Sequence, residues 1–332
     1  MKVVLAAPNF HQPRGNTVTV RRISEGLENL GVETKIISIT EDTPSPSLPS
    51  ADVVHGFHAY RFYQFMQTLN KPLKPYIVTL TGTDLNHDLF DQNRREDVLR
   101  CLTGAKAIHV FDDEARHVLL KEVPNIDHKT FTIHQGTRDF PDTNLNIKKE
   151  PNTFLFVLPA GIRKVKNIPF AIQMLSTLHE KRPNIRLWLV GPIIEDEEGN
   201  MVKILAEQNS DWVQYIGQVP HNKMGGMYQQ ADVILNTSHS EGQPSSILEA
   251  MSYGLPVIAS NNLGNRNIIS HQETGLLYDE SSEFLDHAEE LINNNELRQT
   301  IGQSAQQYIT GHHSSRYEAE SLLNIYHSLI IS

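Results

Sequence analysis

Short apolar runs alternate with amphipathic helical patterns along most of this 332-residue chain, and this alternation restricts the possible fold more than any other feature. A helix that follows a strand carries the chain back to the edge of the sheet where that strand began. The next strand therefore runs parallel to the first. The sequence therefore predicts an α/β fold built from two doubly wound parallel sheets that face a cleft. The runs lie near residues 2–7, 33–39, 52–55, 76–80, 107–110, 130–134, 153–157, 185–190, 213–216, 232–236 and 256–259.

A polar stretch from Pro141 to Asn152 interrupts the alternation and marks a boundary between two Rossmann-like domains. We place the first domain at residues 1–145 and the second at 146–312. Residues 313–332 follow as a C-terminal segment, in which the pattern from Ser314 to Ile331 predicts a helix.

Composition narrows the class of partner. The net charge is −10, and residues 151–332 hold 20 of the 39 acidic residues but 11 of the 29 basic ones, which disfavours nucleic acid and anionic lipid as ligands. The single cysteine, Cys101, fits a reducing compartment, and we expect a cytoplasmic protein with weak or absent membrane association. The acidic run Glu195-Asp196-Glu197-Glu198 is expected in a solvated loop.

Two glutamates eight positions apart, Glu241 and Glu249, flank a predicted helix start. Pro244 suits the first helical position because it has no N–H group to leave unpaired. The backbone N–H groups that follow it at the positive end of the helix are those of Ser245, Ser246 and Ile247. Such a helix end binds phosphate, and a carboxylate one turn further in can accept hydrogen bonds from two sugar hydroxyls. The pattern indicates a site for a nucleoside diphosphate that carries a reactive group.

With the strand that begins at Gly254-Leu255-Pro256-Val257 and the turn Thr274-Gly275-Leu276-Leu277, this motif resembles the donor site of glycosyltransferase family 4. Members of that family are retaining enzymes of GT-B fold. The resemblance covers nearly the whole chain. It implies an acceptor-side first domain, a second domain that binds a nucleotide-sugar, and a C-terminal helix that packs back on the first domain.

The resemblance also assigns roles to individual residues. Arg163 and Lys166, in the loop after the first strand of the second domain, would neutralise the charge that grows on the departing diphosphate, although Lys164 is an alternative cation. Glu241 would stabilise or position the sugar, and it completes the implied catalytic set with Arg163 and Lys166. Gly15 stands where the family has two glycines, and here Asn16 replaces the second. The donor contacts implied are Gly15, Asn16, Val219, Gln243, Pro244, Ser245, Ser246, Ile247 and Glu249.

Five further side chains are candidates for contacting the transferred sugar or the acceptor. Thr81 replaces a histidine that is common in the family, and Asp84 follows it. His58 and Arg61 come after another predicted strand, and Arg138 follows a Gly-Thr turn. A single histidine in a loop more often has a structural role, so these assignments compete with a purely structural interpretation.

The implied chemistry is metal-independent and needs no cofactor. The family is thought to use a front-face route in which the leaving phosphate takes the proton of the acceptor. Asp112-Asp113 is interpreted as a helix cap and not as a metal site. The expected donor is a UDP-hexose or UDP-N-acetylhexosamine, and the acceptor is a small molecule or a glycan.

Within the family, segments such as Gly161-Ile162-Arg163-Lys164 resemble the short glycosyltransferase-1-domain-containing branch, and Leu80-Thr81-Gly82-Thr83-Asp84 is also similar to selenosugar synthases. Two alternatives stay open: a nucleotide-sugar epimerase or hydrolase of the same fold, and a non-catalytic nucleotide-sugar binding protein.

Overall fold

A computed structural model describes residues 1–12, 15–42, 48–73, 75–137, 140 and 145–331. It divides into two compact units, one formed by residues 1–136 with 313–332 and the other by residues 137–312. The sequence places the domain boundaries after residues 145 and 312, whereas the units divide after residues 136 and 312.

The first unit contains a six-stranded sheet in which every neighbouring pair is parallel, in the order β2-β1-β3-β4-β5-β6. The direction of winding reverses between β1 and β3, so loops that leave these two strands diverge and form a crevice at the carboxyl edge. The strands are β1 (Lys2–Ala7), β2 (Glu33–Ser38), β3 (Val53–Phe57), β4 (Tyr76–Thr79), β5 (Ala107–Val110) and β6 (Thr130–Thr132).

Among the described residues of this unit, five α-helices cover the two faces of the sheet: α1 (Gly15–Asn29), α2 (Ala59–Gln67), α3 (Arg95–Gly104), α4 (Asp113–Glu122) and α12 (Ser315–Ile331). The predicted cap at Asp112 is confirmed, because its carboxylate accepts a hydrogen bond from the Ala115 N–H at 2.7 Å. Gly31 follows α1 and has a φ of +82°. A left-handed backbone of this kind ends a helix, and glycine adopts it at little energetic cost because it has no Cβ atom.

The C-terminal helix α12 packs on α1 within this unit. Arg22 and Glu318 form a two-pronged ion pair at 2.8 and 2.9 Å, with both side chains at most 5% exposed. Gly136 lies against the start of α12, where a Cβ atom would come within 2.4 Å of the Ser315 Cα. A buried pair of this kind is tolerated because the guanidinium donates two hydrogen bonds to the carboxylate, so neither charge is left unpaired.

A chain of buried hydrogen bonds crosses the sheet of the first unit beneath α12. The His109 Nε2 donates to the Ile133 carbonyl at 2.9 Å, which leaves Nδ1 to accept from the Thr79 hydroxyl at 2.8 Å. The Thr79 oxygen then accepts from the His55 Nε2 at 2.6 Å, and the His55 Nδ1 accepts from the Tyr326 hydroxyl at 2.7 Å. The terminal carbonyl thus determines one tautomer for both histidines, and both are neutral.

The second unit contains another all-parallel six-stranded sheet, in the order β12-β11-β10-β7-β8-β9. Its winding reverses between β7 and β10, which are the two central strands. The sixth strand, β12, was not predicted from the sequence, where its residues were assigned to a turn. The strands are β7 (Phe154–Pro159), β8 (Ile185–Val190), β9 (Val213–Gly217), β10 (Val233–Asn236), β11 (Val257–Ser260) and β12 (Leu276–Tyr278).

The helices of the second unit are α5 (Ile168–His179), α6 (Asp196–Gln208), α7 (Met224–Tyr228), α8 (Ser245–Ser252), α9 (Leu263–Arg266), α10 (Ser281–Asn293) and α11 (Asn295–His312). The acidic run at residues 195–198 is not a loop: it forms the start of α6, where negative side chains are favoured by the helix dipole. None of the helices in the described ranges is long and apolar enough to span a bilayer.

The buried histidines predict an acid-sensitive fold. Burial is the main cause that lowers the pKa of both His55 and His109 below the value of an exposed histidine. Their contribution to stability is therefore complete above about pH 6.5 and is lost as the pH falls, since the unfolded chain then binds protons that the folded chain does not. Chemical unfolding at pH 7.5 and 5.5 should show the free energy of unfolding falling by up to about 2.7 kcal/mol per pH unit from these two groups.

Imidazole NMR separates this effect from that of other titrating groups. Between pH 7.5 and 5.5, His55 and His109 should keep the Nε2-protonated neutral form. Titration of His55 and His109 near pH 6.5 would contradict a chain of hydrogen bonds between neutral imidazoles.

Candidate active site

The loops that follow β7 and β10 meet at the reversal point of the second sheet, and hydrogen bonds hold them together. The Thr237 hydroxyl contacts the carbonyl oxygens of Lys166 and Asn167 at 2.9 and 3.1 Å. The His239 N–H donates to the Val165 carbonyl at 2.8 Å. These bonds place the basic loop that contains Lys166 directly beside the loop that contains Glu241. In doubly wound sheets this is the position at which ligands bind.

Glu241 is a buried carboxylate surrounded by donors. Its Oε1 accepts from the Lys166 Nζ at 2.5 Å, from the Ser238 hydroxyl at 2.6 Å and from the Asn236 Nδ2 at 3.1 Å. Burial acts to raise the pKa of Glu241, but the charge of Lys166 and these hydrogen bonds outweigh it and keep the pKa below its ordinary value. Glu241 is therefore ionised at neutral pH, and two of the three residues predicted to be catalytic form one ion pair.

The third predicted catalytic residue, Arg163, lies three residues before Lys166 and is half-buried. Its guanidinium forms no ion pair or hydrogen bond with any residue in the described part of the chain. The neighbouring Lys164 is exposed, and its side chain points to no described carboxylate within salt-bridge distance. Of the two cations, Arg163 is the less exposed, so a bound anion would be desolvated more strongly beside it.

A second layer of polar side chains supports the Glu241 loop. The Asn265 Nδ2 donates to the Ser260 carbonyl at 2.8 Å and to the Asn236 Oδ1 at 3.3 Å, so it orients the amide that contacts Glu241. Gly264 permits the close approach of α9, since a Cβ atom there would lie 2.3 Å from the Gly242 carbonyl oxygen. Asn236 and Ser238 were not recognised from the sequence, although both lie within five residues of Glu241.

The helix α8 begins one residue later than expected, because Pro244 is its N-cap and not its first residue. The N–H groups of Ser245 and Ser246 have no acceptor among the described residues. The Ile247 N–H donates to the Pro244 carbonyl at 3.1 Å, so two of the three N–H groups predicted to be free are unpaired. They lie at the positive end of the helix and are available to an anion.

Glu249, one turn into α8, is buried and makes two hydrogen bonds through different oxygens. Its Oε1 lies 2.8 Å from the His221 Nε2, and its Oε2 accepts from the Tyr228 hydroxyl at 2.8 Å. Tyr228 lies in the core. Val219 is partly buried against the same core, and Gln243 is half-buried in the loop before α8. The contact from His221 was not predicted.

The candidates in the first unit lie at the carboxyl edge of its own sheet. Gly15 begins α1 and Asn16 is in its first turn, after β1. A Cβ atom on Gly15 would meet no atom within 4 Å, so packing alone does not require glycine there. Arg138 lies outside the described residues.

His58 and Arg61 follow β3 at the start of α2. His58 has a φ of +70°, which is unusual for a residue with a side chain, and its Nε2 lies 3.7 Å from the buried carboxylate of Asp88. Arg61 is exposed, with its guanidinium 5.6 Å from the centre of the Tyr60 ring. The strained backbone at His58 lies next to the reversal point between β1 and β3.

Thr81 and Asp84 form one local unit. Asp84 is completely buried and accepts from the backbone N–H groups of Thr81 and Ala59, both at 2.8 Å. The Thr81 hydroxyl is 3.4 Å from the same carboxylate. This geometry gives Asp84 a structural role at the start of a single turn of π-helix, Asp84–Asp88, and leaves Thr81 as the more accessible of the two.

Within the described ranges, no three His, Cys, Asp or Glu side chains are grouped as metal ligands would be. Metal independence stays a prediction.

Comparison with known proteins identifies the class of this site. Residues 138–308, just over half of the chain, match the model of the family described as glycosyl transferases group 1. The chain belongs to this family. It is therefore a glycosyltransferase, and the matched residues include both glutamates of the motif and both predicted cations.

Two relatives illustrate the range of similarity. The glycosyltransferase 1 domain-containing protein 1 of Xenopus tropicalis is 27% identical over 96% of this chain and 94% of its own length. The D-inositol 3-phosphate glycosyltransferase of Pseudarthrobacter chlorophenolicus is 28% identical over 55% of this chain and 44% of its own length.

Two solved structures resemble the whole chain. HepE of Anabaena in complex with UDP matches with a TM-score of 0.76, at 16% identity, over 99% of this chain and 100% of its own. The sucrose-phosphate synthase of Thermosynechococcus elongatus matches with a TM-score of 0.80, at 17% identity, over 100% of both chains. The predicted α/β fold class of GT-B type is confirmed.

The ion pair at Glu241 predicts a specific loss of stability. Lys166→Met removes the cation and leaves a buried carboxylate, so the pKa of Glu241 should rise and the free energy of unfolding should fall by about 3 kcal/mol at pH 8. The loss should be smaller at pH 5, where the carboxyl can take up a proton in the folded state. Urea unfolding at both pH values measures it.

Lys164→Met is the matched control, because Lys164 is an exposed lysine two residues away. Its effect should stay within about 0.5 kcal/mol at either pH. An equal loss for both variants would contradict the role given to the ion pair.

Proposed function

We propose that this chain is a retaining, metal-independent glycosyltransferase of family 4 that transfers a sugar from a nucleotide-sugar to a small-molecule or glycan acceptor. The observation that carries the proposal is the Lys166–Glu241 ion pair. Its carboxylate belongs to a residue four positions before Ser245, the first of the two residues of α8 with an unpaired N–H group. It combines an ionised carboxylate, a cation and an anion-binding helix end at one reversal point. A cytoplasmic location accompanies the proposal, from composition.

The proposed donor is a UDP-hexose or a UDP-N-acetylhexosamine. HepE, which shares the fold, has been solved with UDP and with UDP-glucose. In this chain, the N–H groups of Ser245 and Ser246 would bind the diphosphate, and the cis-diol of the ribose would donate to Glu249. These assignments follow from the position of both features on α8, with the anion-binding end one turn from the carboxylate.

In the proposed reaction the bond between the anomeric carbon and the phosphate oxygen breaks while the acceptor oxygen bonds to the same face of that carbon. The proton of the acceptor hydroxyl passes to the departing phosphate oxygen. Arg163 neutralises the negative charge that grows on the diphosphate, and the ionised Glu241 stabilises the positive charge that develops on the sugar. Lys166 keeps Glu241 ionised inside the fold.

A donor panel tests this function. The purified chain, incubated with UDP-, GDP- and ADP-sugars in excess EDTA, should slowly release UDP from one UDP-sugar, as measured by mass spectrometry. With an acceptor, proton NMR of the product should show the anomeric configuration of the donor. Release that requires an added divalent cation would contradict metal independence, and an inverted product would contradict retention.

The same panel distinguishes the alternatives. An epimerised UDP-sugar in the mixture indicates the epimerase. Donor binding without release, even with a panel of glycan acceptors, indicates a binding protein that lacks activity.

The two glutamates should respond differently to substitution. Glu241→Gln should lower turnover about 100-fold with little change in donor affinity, because its charge acts mainly as the sugar becomes positive. Glu249→Ala should weaken UDP binding by about 1.5–3 kcal/mol, the cost of losing hydrogen bonds to a charged group. Steady-state kinetics and calorimetric titration with UDP give both quantities.

Arg163→Ala and Lys164→Ala form a matched pair for the cation. Turnover should fall with Arg163→Ala and stay near that of the unmodified chain with Lys164→Ala. The reverse result would assign neutralisation of the diphosphate to Lys164.

For the glutamates, an unchanged UDP affinity in Glu249→Ala would overturn the assignment of Glu249 to the ribose.

A further inference from the structure

The direction of the Glu249 carboxylate is determined by two donors from outside its own helix. His221 lies after β9, and Tyr228 is the last residue of α7, and each contacts a different carboxylate oxygen at 2.8 Å. A carboxylate carries no proton of its own when ionised, so His221 holds its proton on Nε2. Each oxygen uses one of its two lone pairs for these bonds. One lone pair on each oxygen is left for a ligand.

The Tyr228 donor is rigidly supported. The residue is completely buried, and burial raises the pKa of its hydroxyl well above the ordinary value, so it stays protonated and donates. Its ring contacts Phe140 and Tyr253, with centroids 6.1 and 5.5 Å away. Gly225 makes this packing possible, since a Cβ atom there would lie 2.7 Å from the Phe140 Cβ.

The His221 donor is different because it remains partly open to solvent. Its side chain is 26% exposed, and its ring meets the edge of Phe140 at 5.0 Å. Its Nδ1 has no hydrogen-bond partner in the described part of the chain. The hydrogen bond from its Nε2 fixes the direction of one carboxylate oxygen of the buried Glu249. The main consequence of the contact is therefore the orientation of Glu249.

We propose that His221 and Tyr228 are positioning residues for the nucleotide, which hold the Glu249 carboxylate so that its two remaining lone pairs accept the 2′- and 3′-hydroxyls of a ribose. This inference rests on the proposed function. A glutamate side chain has several rotatable bonds, and fixing them before the ligand arrives removes an entropic cost from binding. Two adjacent hydroxyl donors match the two oxygens of one carboxylate.

Calorimetric titrations with UDP and 2′-deoxy-UDP test the inference. The unmodified chain should prefer UDP, and His221→Ala should raise the Kd for UDP about tenfold while changing that for 2′-deoxy-UDP less. His221→Gln should restore affinity to within about threefold, since the glutamine amide can donate from nearly the position of Nε2. Asn222→Ala, an exposed change in the same turn, should bind both nucleotides like the unmodified chain.

Tyr228→Phe provides an independent arm, with a similar loss expected from removal of one hydroxyl. If both residues act through Glu249, adding His221→Ala to Glu249→Ala should cause no further loss, whereas independent effects would add. Equal weakening of both nucleotides by His221→Ala would show a structural role only. Unchanged UDP affinity in that variant would overturn the inference and leave the proposed function intact. Failure of the unmodified chain to bind any nucleoside diphosphate would overturn both.

Discussion

The negative charge of the buried Glu241 carboxylate is the constraint on which the functional edge of the second unit depends. A buried charge is costly unless donors surround it, and those donors come from separate segments: Lys166 after β7, and Asn236 and Ser238 at the end of β10. Pairing of these two central strands is therefore what makes the carboxylate stable. In return, the ion pair holds the basic loop beside α8, so the anion-binding groups are placed before any ligand arrives.

Beneath α12, the sheet of the first unit buries a row of polar side chains in the opposite way, without charge. The hydrogen bonds from Tyr326 through His55, Thr79 and His109 all run in one donor direction. Each ring nitrogen of the two neutral histidines therefore has one partner. Because the first donor lies on α12, this network and the Arg22–Glu318 pair both join the C-terminal helix to the sheet. These long-range contacts explain why α12 belongs to the first unit although it follows the second in sequence.

Short apolar runs were enough to predict eleven of the twelve strands among the described residues, because most of these strands coincide with such a run. The strand Leu276–Tyr278 was missed because its first two residues were assigned to the turn of the donor motif, and its assignment as a strand depends on pairing with β11. The prediction of a loop at residues 195–198 was wrong because charge alone indicates solvent exposure and not backbone structure. The run begins the helix α6, which continues in the residues after it. For the site, the two glutamates and the helix start could be predicted, since they lie within one short segment. His221 and Asn236 could not, because their role exists only through contacts that folding creates.

The two glutamates of the motif have the same side chain but opposite surroundings, and this difference separates their chemistry. Glu241 is paired with the ammonium of Lys166, so its charge is maintained inside the fold and can act on a developing positive charge. Glu249 is held by Tyr228 and His221 through hydrogen bonds that leave lone pairs on both oxygens, which suits recognition of hydroxyl groups. A change of partner would exchange these properties. A lysine beside Glu249 would occupy the lone pairs that a diol needs. A purely neutral set of donors beside Glu241 would stabilise the ionised form of its carboxylate less. The spacing in the sequence places the carboxylates, and the partners supplied by other strands and helices decide what each of them does.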